Sequence, residues 1–433
     1  MFQRLKKTAL LIFLLAVILR FSYIYFSLGI NTPPNDHDFW LEKVAVNFSN
    51  GGGYGLVPSK PTARKLPFFS LFLAGIYIIF GHSIVIARIF QIILGGLSAL
   101  GVYLTAKTIS GEKEGIISGI IFACDPLTIY ISGWFLTENL FIPLIIYFFY
   151  FMVKYQKENK NQNYLIMAGM FLGMSSLTRA ISLLLTVFIF IWSFFINYPD
   201  IKKILRDFFI IIAIMFIFVS TWGIRNYVKL GDFVLTETGS GKMFWGGNNP
   251  YAIGDTVLMT GSPRLFESND HPHGIQGKDW RQWNGSSWLN VFLSTDEGAS
   301  EKEVSDKYYK KGIEWITNHP IDFFKLLPGK IYYLWKFWSP HASLPDIEPG
   351  LFLSAEIYYY LMLVSAIAGL LFSFSTWKNY LILYLLIGNF TVSALIFFGD
   401  ARQRMPVVPI ITILAGLGIT GVKKIHAEKY KTR

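Results

Sequence analysis

Long apolar runs constrain this chain more than any other feature. Residues 8–29, 84–106, 115–153, 165–177, 181–195, 208–224, 357–374, 380–398 and 407–422 carry few charges. A helix needs about 20 mostly apolar residues to cross the hydrocarbon core of a bilayer. A membrane β-barrel would instead show short strands of alternating polarity. The runs therefore predict an all-α polytopic membrane protein with about ten transmembrane helices. The stretch 115–153 is long enough for two of them, with a bend near Ser132, Gly133 and Trp134.

Composition agrees. Charged residues make up 15% of the 433, against about 25% in soluble domains. The net charge of +11 is explained by Lys and Arg in short loops at one side of the spans, where they set orientation. No basic stripe is interleaved with an aromatic platform, so nucleic acid is not an expected partner. Cys124 is the single cysteine. It excludes an intramolecular disulfide and a CxxC metal motif.

The basic loops assign the sides. Arg4, Lys6 and Lys7 precede the first run, which is read as a retained span because no small-residue cleavage site follows it. Lys107, the 154–162 loop, Lys202, Lys203, Arg206, Lys378 and the basic tail then share the cytoplasmic side with both termini. Three regions result. Residues 1–225 form an N-terminal membrane module with a first outer loop at 30–83. Within that loop, 67–80 is too short to span and suits a surface helix. Residues 226–351 form a small extracytoplasmic region ending in amphipathic, Trp- and Tyr-rich interfacial segments. Residues 352–433 add the last spans and the tail. The expected location is the cell membrane, with any site on the extracytoplasmic side.

That side collects the unusual polar residues. NDHDFW places Asp36 and Asp38 just after the first span. Asp125 and Glu138 flank the second outer bend, and Arg64, Arg179, Arg225, Arg402 and Arg404 fall near outer span ends. Ionisable groups at membrane depth usually face a cavity or a partner. Carboxylates gathered with arginines point to chemistry on an anionic substrate. Plainer roles stand beside this one. Asp36 could cap the helix that begins at FWLEKVA, Glu138 could be a helix-start acid favoured by the dipole, and the arginines could snorkel at the interface. Asp36, His37 and Asp38 also invite a divalent cation, since hard cations take carboxylate oxygens. His271 and His273 are two ligands, which do not make a zinc site.

Several motifs carry a family resemblance. NDHDFWLEKVAVNFSNGGGYG has an Asp, an aromatic four residues on, a small residue and then Gly-x-Gly-Tyr, fitted by Asp36, Trp40, Ala45 and Gly51 to Tyr54. RKLPFFSLFLAGIYIIFG, SGWFLTENLF, GMSSLTRAISLLL, TWGIRNYVKLGDFVLTETGSGKMFWGGNNP and FGDARQRMPVVP follow in order. Together they resemble GT-C glycosyltransferases that use polyprenyl-phosphate sugars, of the protein O-mannosyltransferase and lipid A aminoarabinose transferase branch. Two positions depart from that pattern: Trp40 stands where Tyr is usual, and Leu66-Pro67 replaces a Pro pair.

The resemblance implies a GT-C fold and an enzyme that moves a hexose or pentose from a polyprenyl-phosphate donor to a lipid, glycan or protein acceptor. Asp36 would be the general base, with Glu138, also catalytic, helping to orient it or the acceptor. Asp38, Arg64, Arg179, Arg225, Arg402 and Arg404 would bind substrate, the arginines pairing with lipid phosphate. No cofactor is required on this reading, and a divalent cation is the alternative. The rival function is a transporter or flippase of lipid-linked glycan. Against it, the two halves show no internal repeat, and the acids lie at span ends rather than midway. A receptor or assembly factor would leave the outer polar cluster unexplained.

Overall fold

The computed structural model describes residues 2–33, 39–158, 160–250, 252–255, 298–337 and 349–431. Apart from one isolated bridge between Val57 and Lys60, the regular structure among them is helical. Among the described residues, seven helical segments are long and apolar enough to cross a membrane: Lys7–Leu28, Ile84–Ser110, Glu138–Lys157, Ala180–Asn197, Ile201–Leu230, Gly350–Asn379 and Ala401–Val422.

Three of the ten expected spans come out shorter. The first half of 115–153 ends at Ala123, because Asp125 caps a new short helix, Pro126–Ile131, by accepting the Thr128 backbone N–H at 2.8 Å. Pro126 at the first helical position reinforces this restart. The run at 165–177 is the helix Asn163–Ser176, and that at 380–398 is Leu381–Ile396. At 14 and 16 residues and 1.5 Å per residue, each falls short of a core about 30 Å thick. The segment Phe68–Phe80, 13 residues long, is likewise too short to span.

Packing follows membrane-protein rules. Helices approach closely where residues are small. A Cβ on Gly369 would lie 1.8 Å from the Leu414 carbonyl oxygen, and one on Gly418 would lie 2.0 Å from that of Ser365. The last two long helices thus touch backbone to backbone. The main core gathers Phe141, Phe148, Phe149, Trp192, Leu386 and Ile410. A second core lies under the first outer loop and contains Trp40, Val44, Tyr54, Phe69, Leu73 and Trp222.

The polar residues separate to two ends. At one end Lys107 pairs with Glu112 at 2.8 Å, Gln156 donates to the Lys378 carbonyl at 2.8 Å and Lys157 donates to Asn379 at 3.1 Å. Glu138, Arg179 and Arg402 meet at the other. These described polar contacts thus fall at two ends of the bundle.

Beyond the spans, Ser240–Gly247, Glu301–Asn318 and Pro320–Trp335 are helices. Ser300 and Glu303 form a reciprocal capping box that starts the second. Lys330 of the third is fully buried. Its ammonium donates to Asn248 Oδ1 at 2.8 Å and the Leu395 carbonyl at 3.0 Å, tying this region to the bundle.

Burial pushes Lys330 down to about 7. An unfolded chain keeps the same amine charged to about pH 10.4, so above about pH 7 unfolding takes up a proton and stability rises with pH. The melting temperature of the wild type relative to Lys330→Met should therefore be lowest at pH 6 and climb by pH 9 in a detergent thermal melt. A difference independent of pH would contradict the burial of a charged amine there.

Candidate active site

Asp36 and Asp38 lie outside the described residues. The chain resumes at the helix Phe39–Ser49, whose Trp40, Leu41, Val44 and Ala45 are buried in the second core. Of the other expected site residues, three meet at one point. Glu138 opens the helix Glu138–Lys157 and is 1% exposed. Its Oε1 accepts Arg179 NH1 at 2.8 Å and Arg402 Nε and NH2 at 3.2 and 3.1 Å. The three residues come from three different span ends. Arg179 precedes the 3-10 turn Ala180–Leu184, and Arg402 follows the N-cap Asp400 of the short helix Ala401–Arg404.

This cluster forms part of the wall of a cleft of about 410 Å³, within the range of small-molecule sites. Lys65 and Leu66 contribute from the stretch just before the helix Phe68–Phe80. Thr178 to Ile181 contribute from the Leu-Thr-Arg bend, Thr236, Glu237 and Ser240 from the segment before Trp245, and Phe397, Phe398, Asp400, Arg402 and Gln403 from the turn before the last long helix. Tyr309 closes it from the helix Glu301–Asn318. Five of the six quoted motifs, dispersed along the sequence, thus converge on one cavity. NH1 of Arg179 is turned to Glu138, and no bond to its Nε or NH2 is found among the described residues. Asp400 is buried, and its carboxylate accepts the Arg402 backbone N–H at 3.0 Å. Burial pushes that carboxyl up, against the pull of the Arg402 backbone N–H and guanidinium.

Arg64, Arg225 and Arg404 are placed elsewhere. The Arg404 guanidinium donates to the carbonyls of Leu334, Lys336 and Phe337 at 2.6, 2.6 and 3.1 Å and lies over the Tyr359 ring. It satisfies the Leu334 carbonyl in the last turn of the helix Pro320–Trp335 and the two carbonyls just past its end. Arg225 donates to the carbonyls of Thr62 and Tyr54 at 2.8 and 3.0 Å and stacks over Trp222. Arg64 pairs with Glu301 at 3.2 Å. Burial lowers the Arg64 guanidinium, and the Glu301 carboxylate opposes the shift.

Glu301 is a residue the sequence reading did not single out. Besides Arg64, it accepts Thr62 Oγ1 at 2.6 Å, the Ala63 backbone N–H at 2.9 Å and Thr238 Oγ1 at 3.1 Å. It pins the stretch before the helix Phe68–Phe80 to the segment that carries Glu237. Lys65, Glu237, Tyr309 and Gln403 were also missed as cleft residues. The first, second and fourth stand beside quoted motif residues, whereas Tyr309 lies in a segment with no family pattern. Among the described residues, no group of three or more His, Cys, Asp and Glu could hold a metal ion. His271 and His273 lie outside the described residues.

Comparison with known proteins places this architecture. Residues 59–224 match the family model of dolichyl-phosphate-mannose-protein mannosyltransferases. The apo oligosaccharyltransferase of Archaeoglobus fulgidus aligns over 98% of this chain and 52% of its own, at 12% identity and a TM-score of 0.58. The same organism's oligosaccharyltransferase AglB, in complex with an inhibitory peptide and a dolichol-phosphate, aligns over 98% and 51% at 12% identity and a TM-score of 0.57. ArnT from Cupriavidus metallidurans bound to undecaprenyl phosphate aligns over 95% and 77% at 15% identity, with a TM-score of 0.44. No curated protein sequence matches the chain. The chain spans about half the length of the archaeal structures it aligns with. It shares the membrane fold of those archaeal structures, and its residues 59–224 carry the mannosyltransferase family match.

Removing one partner of a buried ion pair leaves its charge uncompensated and costs about 3–5 kcal/mol. Glu138→Ala should destabilise the protein by about that much, and Glu138→Gln by less, because the amide oxygen still accepts from one guanidinium. Thermal melts of both variants against wild type test this. Equal melting temperatures would mean that the triad does not hold the span ends together. Glu301→Ala should cost about 1–3 kcal/mol, since it leaves buried donors unsatisfied. It should also raise amide exchange selectively across residues 54–66, read by mass spectrometry.

Proposed function

We propose that this chain is a membrane glycosyltransferase. It moves a monosaccharide, hexose or pentose, from a polyprenyl-phosphate donor to a lipid, glycan or protein acceptor at the extracytoplasmic face. One observation carries the reading. Five motif segments of the family pattern line one cleft, where a buried carboxylate orients two guanidiniums.

The chemistry suits that arrangement. Arg179 and Arg402 bind the phosphate of the donor through charge-assisted hydrogen bonds. Glu138 holds both in place, so that little reorganisation is needed as charge develops on the leaving oxygen. Asp36 is the general base. It takes the proton of the acceptor hydroxyl as that oxygen forms its bond to the anomeric carbon. The bond from that carbon to the phosphate oxygen breaks in the same step, and its electron pair leaves with prenyl phosphate. A phosphate leaves without a strong general acid. One in-line displacement inverts the anomeric centre. Asp38 lies in the same loop as the base and is assigned to substrate binding, and the apolar spans accommodate the prenyl chain. Arg64, Arg225 and Arg404 shape the site by holding its loops rather than by touching phosphate.

The test uses purified protein in nanodiscs with a panel of radiolabelled prenyl-phosphate sugars, scoring release of prenyl phosphate. Wild type should release it with at least one donor. Asp36→Asn should lower the rate about 10²–10⁴-fold, and Arg402→Ala should weaken retention of the phosphate lipid. Full release by correctly inserted Asp36→Asn would remove Asp36 as the base. Bound donor with no release from any sugar would replace transferase by transporter.

A further inference from the structure

Among the described residues, three carboxylates line the cleft, and two of them are occupied. Glu138 is engaged by Arg179 and Arg402, and Asp400 by the Arg402 backbone N–H. Glu237 differs. Its side chain is half-buried on the cleft wall, yet no hydrogen bond or ion pair to its carboxylate is found among the described residues.

The backbone around Glu237 is nevertheless held on both sides. The Trp222 indole donates to the Thr236 carbonyl at 2.7 Å. The Thr238 backbone N–H donates to the Ala63 carbonyl at 3.0 Å, and its hydroxyl donates to Glu301 at 3.1 Å. The carbonyl of Glu237 itself accepts Ser240 Oγ at 3.0 Å. A loop acid of no consequence would sit on a loose backbone and point to solvent. This one stands on a fixed backbone, in a concave site, with its acceptor sites unused.

We propose that Glu237 is a specificity residue that recognises sugar hydroxyls. Its carboxylate accepts hydrogen bonds from a vicinal pair on the ring bound in the cleft. A carboxylate has two oxygens and about four lone-pair sites, which match two neighbouring O–H donors. Hydrogen bonds to an ionised acceptor are about twice as strong as neutral ones. A site built to bond a hydroxyl also rejects analogues lacking it, because its polar group is then left unpaired. Thr236, Ser240 and Tyr309 offer further hydroxyl partners on the same wall. The ring is that of the donor or of a glycan acceptor, and the chemistry of recognition is the same for both. The inference rests on the proposed function and names the substrate feature which that site selects.

The experiment compares wild type, Glu237→Gln and Glu237→Ala in nanodiscs. The probes are polyprenyl phosphate without sugar, a polyprenyl-phosphate hexose and its single-deoxy analogues, with methyl glycosides as acceptors. Both variants should bind bare polyprenyl phosphate within about twofold of wild type. They should lose about tenfold or more toward the sugar-bearing lipid, or in KM for the glycoside. The first result assigns Glu237 to the donor ring and the second to the acceptor ring. One deoxy analogue should be penalised by wild type and not by the variants. Unchanged recognition of both sugars would overturn the inference and leave the transferase reading intact. An equal loss toward bare prenyl phosphate would also overturn it, by showing a structural role. Wild type that binds neither bare nor sugar-bearing lipid would overturn the transferase reading and this inference with it.

Discussion

A carboxylate with almost no contact with solvent governs this structure. Glu138 is withdrawn from water at the start of a long apolar helix, where an isolated charge would be strongly unfavourable. Two guanidiniums compensate it, and they reach it from positions 179 and 402. Three helix starts are thereby drawn to one point. Because neither arginine is fully buried, each carries positive charge to the edge of the cleft. One interaction both closes the bundle at that end and sets two guanidiniums on the cleft wall.

The loops above the cleft are held by a different use of charge. Arg404 and Arg225 spend their donors on backbone carbonyls, Glu301 collects backbone and side-chain donors, and Lys330 ties the outer helices to Asn248 and Leu395. Irregular backbone near a membrane needs such partners, since few waters are there to supply them. The arrangement gives the first outer loop a rigid stretch at Lys65 and Leu66, where it meets the cleft. It also fixes the segment of Glu237. The same residue types therefore divide into two populations. One faces the cavity, and the other satisfies helix ends and loops.

That division was not legible in the sequence. Arg64, Arg179, Arg225, Arg402 and Arg404 all sit near outer span ends and looked equivalent. Glu138 and Arg402 are 264 positions apart, and nothing local connects them. Glu301 and Tyr309 lie in a segment of ordinary amphipathic composition, so their reach across the fold left no local signal. The count of crossing helices was also beyond local reading. Hydropathy registers apolar character, whereas Asp125, Arg179 and the bend after Ile396 cut three of the runs to lengths that a bilayer core exceeds.

The sequence by itself determined the class of protein, since apolar runs of that length can only be helices packed in a membrane. It offered a lysine-rich set of short loops from which an orientation can be expected, because charge asymmetry is written residue by residue. It also marked, through quoted motifs, the segments that meet. Tertiary structure alone decided which arginines meet the buried acid, which close helix ends, and which carboxylate in the cavity has no bonded partner among the described residues. Those outcomes depend on distances of about 3 Å between groups far apart in the chain. Only the packing of the helices sets such distances.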